Sequence, residues 1–275
     1  MSSPAVSKEQ KKDKKFLLIV IAASCLVAAM FGSRNSLSLT IEGIDQSQTL
    51  NYLQISFAFA LGQLVVGAIS PFAGMIADKY GSGKTLTLGI LLGLLGIILI
   101  PYSTTAFTLS ISLGVISSIG LGVAGLPVVL ASVNRLIPQN KVGMAFGLVN
   151  AGQSLGQLIL APLAGFIIVN FGWILCILFL CTVLLLVLPF SFILRSRTDT
   201  KHPSGVQTKS LSETLRIAFN TPSYIYLVVG FFVCGFHVAF IATHMPGVIQ
   251  VCGLPPTVSG WSLGLIGLFN IVGSI

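Results

Sequence analysis

The segment Gly74–Lys84, GMIADKYGSGK, joins two long apolar stretches, Asn51–Ala77 and Thr85–Pro101. Apolar runs of that length read as helices long enough to cross a bilayer. A connection this short leaves them one arrangement, side by side and antiparallel. Gly74 allows close helix approach, Asp78 ends the first helix, and Lys79 and Lys84 bracket it with positive charge. Gly81 and Gly83 suit the tight reversal, because glycine takes positive φ at little cost.

The same alternation runs through the chain. Further apolar spans are predicted at Phe16–Thr40, Phe107–Asn134, Val142–Val169, Trp173–Leu194, Thr221–Val248 and Thr257–Ile275. Only 8% of the residues are charged, against roughly 25% in soluble domains. The fold class is therefore all-α, a polytopic membrane protein whose solvent is the lipid bilayer. The net charge of +8 then has to be read by position, and it does not point to nucleic acid. With alternating spans, every Lys and Arg but Arg34 falls on one side: the tail 1–15, the 78–84 and 135–141 turns, and the segment 195–216. The positive-inside rule makes that side cytosolic, with the amino terminus inside. Four regions result: a polar, disordered tail at 1–15, a six-helix bundle at 16–194, a cytosolic linker at 195–220, and the seventh and eighth helices at 221–275. Within the linker, Ser210 and Glu213 have capping-box spacing, and Leu211, Leu215, Ala218 and Phe219 share a face. A short interfacial amphipathic helix is predicted there. An acidic loop with Glu42 and Asp45 is expected on the opposite side. The apolar run after the basic start is too long for a cleavable signal peptide.

Polar residues inside the spans are the candidates for function. Arg34 lies near the far end of the first span, roughly 27 Å along it at 1.5 Å per residue. A cation at bilayer depth costs about 2.5–3.5 kcal/mol on insertion scales, and a guanidinium matches a carboxylate with two parallel hydrogen bonds. Arg34 either binds an anion or reaches out to pair with Glu42 or Asp45. Asn150, Gln153, Ser154 and Gln157 fall at i, i+3, i+4 and i+7 and share one face, which either lines a wet cavity or joins helices. Gly152 and Gly156 on an adjacent face suit close packing, as do Gly114, Ser118 and Gly122 in the fourth span. His237 and His244 are seven apart on one face of the seventh span. They either exchange protons or contact substrate, or they are neutral groups hydrogen-bonded between helices. The spans hold no carboxylate pair, metal-ligand cluster or activated nucleophile, so no enzyme and no cofactor is expected.

Gly74, Asp78, Lys79, Gly81 and Lys84 together resemble the signature between the second and third helices of the major facilitator superfamily of secondary transporters. Ser82 and Gly83 stand where that family usually places basic residues. The stretches Gly32–Leu37, Asn170–Trp173 and Gly230–Ile249 resemble the monocarboxylate and oxalate/formate transporter-like branch. The resemblance implies transport of a small organic anion by alternating access, with proton symport or exchange, in a monomer of the bacterial inner membrane. It also implies that Arg34, Gln153, Gln157, His237 and His244 line the route and that Gly74–Lys84 gates it. Complete members have about twelve spans, so the chain is expected to be truncated in its eighth helix. The alternative reading is a non-transporting membrane fragment or a structural partner of another subunit.

Overall fold

The computed structural model describes residues 4–47, 50–195 and 216–274. Among them every regular element is a helix, and eight stretches are long and apolar enough to cross a membrane. These are Asp13–Gln46, Tyr52–Tyr80, Ser82–Tyr102, Ala106–Leu136, Gln139–Phe171, Trp173–Ile193, Pro222–Val251 and Pro256–Gly273, called the first to eighth spans. The lysine-rich start is not a disordered tail from residue 4 on: helix Pro4–Leu37 runs straight into the first span. Nor is Glu42–Asp45 in a loop, since a 3-10 turn at Ser38–Thr40 hands the chain to helix Ile41–Ser47. Of the predicted linker helix, residues 216–219 are helical, and the rest lies outside the described residues.

Helices in lipid gain little from burying apolar surface against each other, so small residues that let backbones touch decide the packing. The first and fifth spans show this most clearly. A Cβ on Gly32 would come within 2.6 Å of the Gly156 carbonyl oxygen, and one on Gly152 within 2.7 Å of Ser24 Cβ. One on Gly156 would overlap the backbone of Ala28. The predicted face of the fourth span packs on the second: Gly114 lies against Ala58, Ser118 against Gly62 and Gly122 against Ile69. The third span meets the fourth through Gly89 at Ala124 and Gly96 at Ser117. On the far side of the fifth span, Gly260, Gly264 and Gly267 of the eighth lie along Ala161, Pro162 and Ser154.

The fourth span is not one regular helix. A π-helical stretch occupies Ser110–Ser117, and the Ser118 hydroxyl donates to the Leu113 carbonyl at 3.1 Å. The helix then breaks at Ala124 and restarts as Leu126–Leu136, with Pro127 in its first turn. Proline is tolerated there because the first-turn N–H groups have no intrahelical acceptor.

The reversal after the second span is tighter than its sequence indicates. Gly81, at φ 89°, is its single non-helical residue, and Gly83 already belongs to the third span. Gly74 has open space where a Cβ would sit, so among the described residues it supports no close approach. Gly172, at φ 85°, makes the equivalent reversal between the fifth and sixth spans. Among the described residues, the buried residues of the seventh span, Thr243, Pro246 and Gly247, lie near its far end.

Gly156→Val is expected to lower thermal stability in detergent by about 1–3 kcal/mol, the usual cost of overpacking. Gly74→Ala should leave it unchanged or raise it by up to about 1 kcal/mol through helix propensity. Thermal unfolding followed by circular dichroism checks both, and equal effects at the two sites would contradict the packing described.

Candidate functional site

Arg34 sits one turn before the end of helix Pro4–Leu37, and its Nη2 donates to the side-chain oxygen of Gln63 on the second span. This neutral amide replaces the expected acidic alternatives: neither Glu42 nor Asp45 forms an ion pair with Arg34 among the described residues. A guanidinium has five N–H groups and no acceptor, so one bond to an amide neither neutralises nor saturates it.

Two recesses meet at this side chain. The larger, about 260 Å³, is lined by Met30, Phe31, Arg34, Gln63, Ser70 and Gln153, with the break at Ala124–Pro127 closing one side. The smaller, about 30 Å³, lies among Arg34, Asn35, Ser38, Ser117 and Thr243. The smaller volume admits only a water or two. In it the Ser117 hydroxyl is buried with no hydrogen-bond partner among the described residues. Thr243 belongs to the seventh span, so this recess joins the first six spans to the seventh.

The polar face of the fifth span divides. Gln153 opens on the larger cavity, Asn150 is exposed, and Gln157 is buried against the eighth span, its Cβ 3.3 Å from where one on Gly267 would stand. The two histidines also separate. His244 Nδ1 lies 3.2 Å from the Tyr52 hydroxyl, beside a recess of about 550 Å³ that includes Glu42, Asp45 and Tyr52. His237 is exposed, with Nδ1 2.8 Å from the carbonyl oxygen of Val233 in its own helix, and lines neither cavity around Arg34. The structure thus brings Arg34 and Gln153 together, sets Gln157 behind them and His244 at the acidic end, and leaves His237 apart.

Gln63 and Ser70 escaped the sequence reading although they are seven apart, a spacing that places both on one face of an apolar helix. Tyr52 and Ser117 gave no signal of their own, since isolated hydroxyls are common at helix ends and inside membrane helices.

At the basic end, Asp78 pairs with Arg135 across the second and fourth spans, not with the flanking lysines. Lys79 instead lies over the Tyr80 ring, with Nζ 5.3 Å from its centroid. Lys84 lines a separate groove. Lys141 pairs with Asp13 at 2.8 Å, tying the start of the fifth span to the first. The Asp78–Arg135 side chains are 62% and 39% exposed, so solvent screens the pair and it contributes at most about 1 kcal/mol. Asp78→Asn is therefore expected to lower stability by no more than about 1 kcal/mol in thermal unfolding; a loss several times larger would mean the pair holds the second and fourth spans together.

A family model described as the Major Facilitator Superfamily matches residues 20–275. The riboflavin transporter RibZ of Clostridioides difficile is 29% identical over 162 residues, 59% of this chain and 35% of that protein. Monocarboxylate transporter 11 of Mus musculus is 25% identical over 65% of this chain and 39% of its own length. The hexuronate transporter of Bacillus subtilis is 24% identical over 86% of this chain and 58% of that protein. This chain thus spans well under two thirds of the length of these curated relatives. Among solved structures, a bacterial homologue of the human lysosomal transporter Spinster superposes with a TM-score of 0.72 at 16% identity, over 94% of this chain and 60% of that one.

Proposed function

We propose, from the fact that this chain belongs to the major facilitator superfamily, that it takes part in secondary transport of a small organic anion held at Arg34. One observation carries the reading. Arg34 opens on a cavity inside a membrane span, and its hydrogen-bond partner is the uncharged amide of Gln63. A cation at that depth stabilises whatever anion enters, and the unused N–H groups of its guanidinium offer a carboxylate two parallel bonds. Gln153, across the same cavity, supplies an amide to orient the remainder of the substrate. A monocarboxylate and a hexuronate, named in two of the relatives, both carry a carboxylate.

The other expected residues take places around this centre. Gln157 holds the fifth span to the eighth beside the site. His244, bonded to Tyr52 across the second and seventh spans, is the group for proton symport in this reading. The basic end faces the cytosol of a bacterial inner membrane. There Gly74–Lys84 acts as the gate, and the Asp78–Arg135 pair ties the end of the second span to the fourth within the same bundle.

Reconstitution in proteoliposomes with radiolabelled monocarboxylates tests the reading. Uptake is expected with the wild-type chain and should fall at least tenfold in Arg34→Ala. Gln63→Glu would place a carboxylate of the protein itself beside Arg34, so apparent affinity should fall while the fold is kept. Full uptake in Arg34→Ala at equal expression would overturn the assignment of Arg34. No uptake by the wild-type chain across the panel would favour the non-transporting alternative.

A further inference from the structure

A groove at the basic end, between the start of the third span and the end of the sixth, has a volume of about 400 Å³. It requires only that the chain lies in a bilayer; Lys84 is shared with the proposed gate, and the test below reads bound lipid rather than transport. Three contacts build it. The Ser82 hydroxyl donates to the Leu194 carbonyl at 2.7 Å, and the hydroxyls of Thr87 and Ser191 lie 2.7 Å apart. Gly83, having no side chain, lets the chain at Arg195 settle on the third span, where a Cβ would come 2.9 Å from Arg195 Cβ.

The two walls are graded in the same direction. On the third span, Lys84 stands at the basic end, with Leu88 and Leu91 at i+4 and i+7 on the same face, deeper along the helix. On the other wall Arg195 stands at the basic end and Phe192 one turn deeper. Leu88, Leu91 and Phe192 are 51%, 46% and 61% exposed. Asp78 and Asp13 are engaged by Arg135 and Lys141, and among the described residues neither Lys84 nor Arg195 forms an ion pair. Two cations above an apolar cleft match a molecule with an anionic head and hydrocarbon tails. An inorganic anion would satisfy the cations and leave the cleft bare.

We propose that this groove is a binding site for an anionic phospholipid of the leaflet facing the basic end. The phosphodiester lies between Lys84 and Arg195, and an acyl chain runs over Leu88, Leu91 and Phe192. The lipid then bridges the third and sixth spans at the exit of the Gly81 reversal.

The test uses the full chain in vesicles of equimolar phosphatidylglycerol and phosphatidylcholine, followed by extraction and native mass spectrometry of retained lipid. Wild type is expected to retain phosphatidylglycerol preferentially. Lys84→Gln and Arg195→Gln should each lower that preference about fivefold, the worth of one cation near an anionic membrane surface. The exchange Lys84→Arg with Arg195→Lys should preserve it and controls for folding. Leu91→Trp keeps both charges but fills the cleft, and should also reduce retention. Wild-type preference in the Lys84→Gln/Arg195→Gln protein would overturn the proposal, as would equal retention of phosphatidylcholine. Displacement of the lipid by inorganic phosphate would also overturn it, marking a site for a soluble anion.

Discussion

Helix association in hydrocarbon has little hydrophobic drive, because lipid tails are as apolar as leucine. What remains is dispersion between closely matched surfaces, individually small and collectively large. The contact between the first and fifth spans is where this chain concentrates it. Gly32, Gly152 and Gly156 bring the two backbones together around Ser24 and Ala28. That approach has two results. It points Gln153 toward Arg34 across the cavity, and it frees the opposite face of the fifth span for Gly260, Gly264 and Gly267 of the eighth. One helix thus packs tightly on both sides, and the cavity opens where glycine contact gives way to Met30, Phe31 and Gln63.

The electrostatics of the cavity depend on which partner Arg34 receives. A carboxylate at Gln63 would form a closed ion pair, and with both charges compensated the cavity would hold little attraction for an anion. An amide satisfies one N–H and leaves the net charge unchanged. The cation is costly at that depth, and the surrounding polar groups offset part of that cost: Asn35, Ser38, Ser117 and Thr243 border its second recess. Irregular backbone gathers in the same place. The π-helical stretch contributes Ser117, and the break at Ala124–Gly125 lines the larger cavity. Non-helical backbone inside a membrane protein is tolerated where it lines a cavity or is covered by protein.

Run length and turn chemistry made the spans legible, since an apolar stretch of about twenty residues has few alternatives in water or in lipid. The glycine stripes of the fourth and fifth spans were legible for a related reason, because their four-residue spacing survives any rotation of the helix about its axis. The rotation itself was not legible. A helix apolar on nearly every side carries no amphipathic signal to orient it, so Gln157 against the eighth span and Gln153 in the cavity look alike in sequence. The partners of Arg34 and Asp78 were hidden for the same cause, as both Gln63 and Arg135 lie on other helices whose facing depends on packing. Glu42 and Asp45 read as a loop because two acids beside glycine resemble one, yet packing of Leu39, Ile41 and Ile44 carried the helix through them.

The two ends of the bundle are held by contacts of different kinds, and the difference bears on the transport proposed above. At the basic end the ion pair between Asp78 and Arg135 is half-exposed and screened, so breaking it costs little. At the acidic end the seventh span meets the second through the Tyr52–His244 bond and the Gly247 backbone, where a Cβ would come 2.6 Å from the tyrosine oxygen. An equilibrium between two conformations needs states within a few kcal/mol of each other. Among the described residues, few side chains are buried where the seventh span meets the bundle. The buried residues of the seventh span are Thr243, Pro246 and Gly247, with Ala242 and Met245 packed partly against the core, and Thr243 borders the recess behind Arg34. An anion arriving at Arg34 would therefore act within one side chain of the contact that holds the seventh span in place.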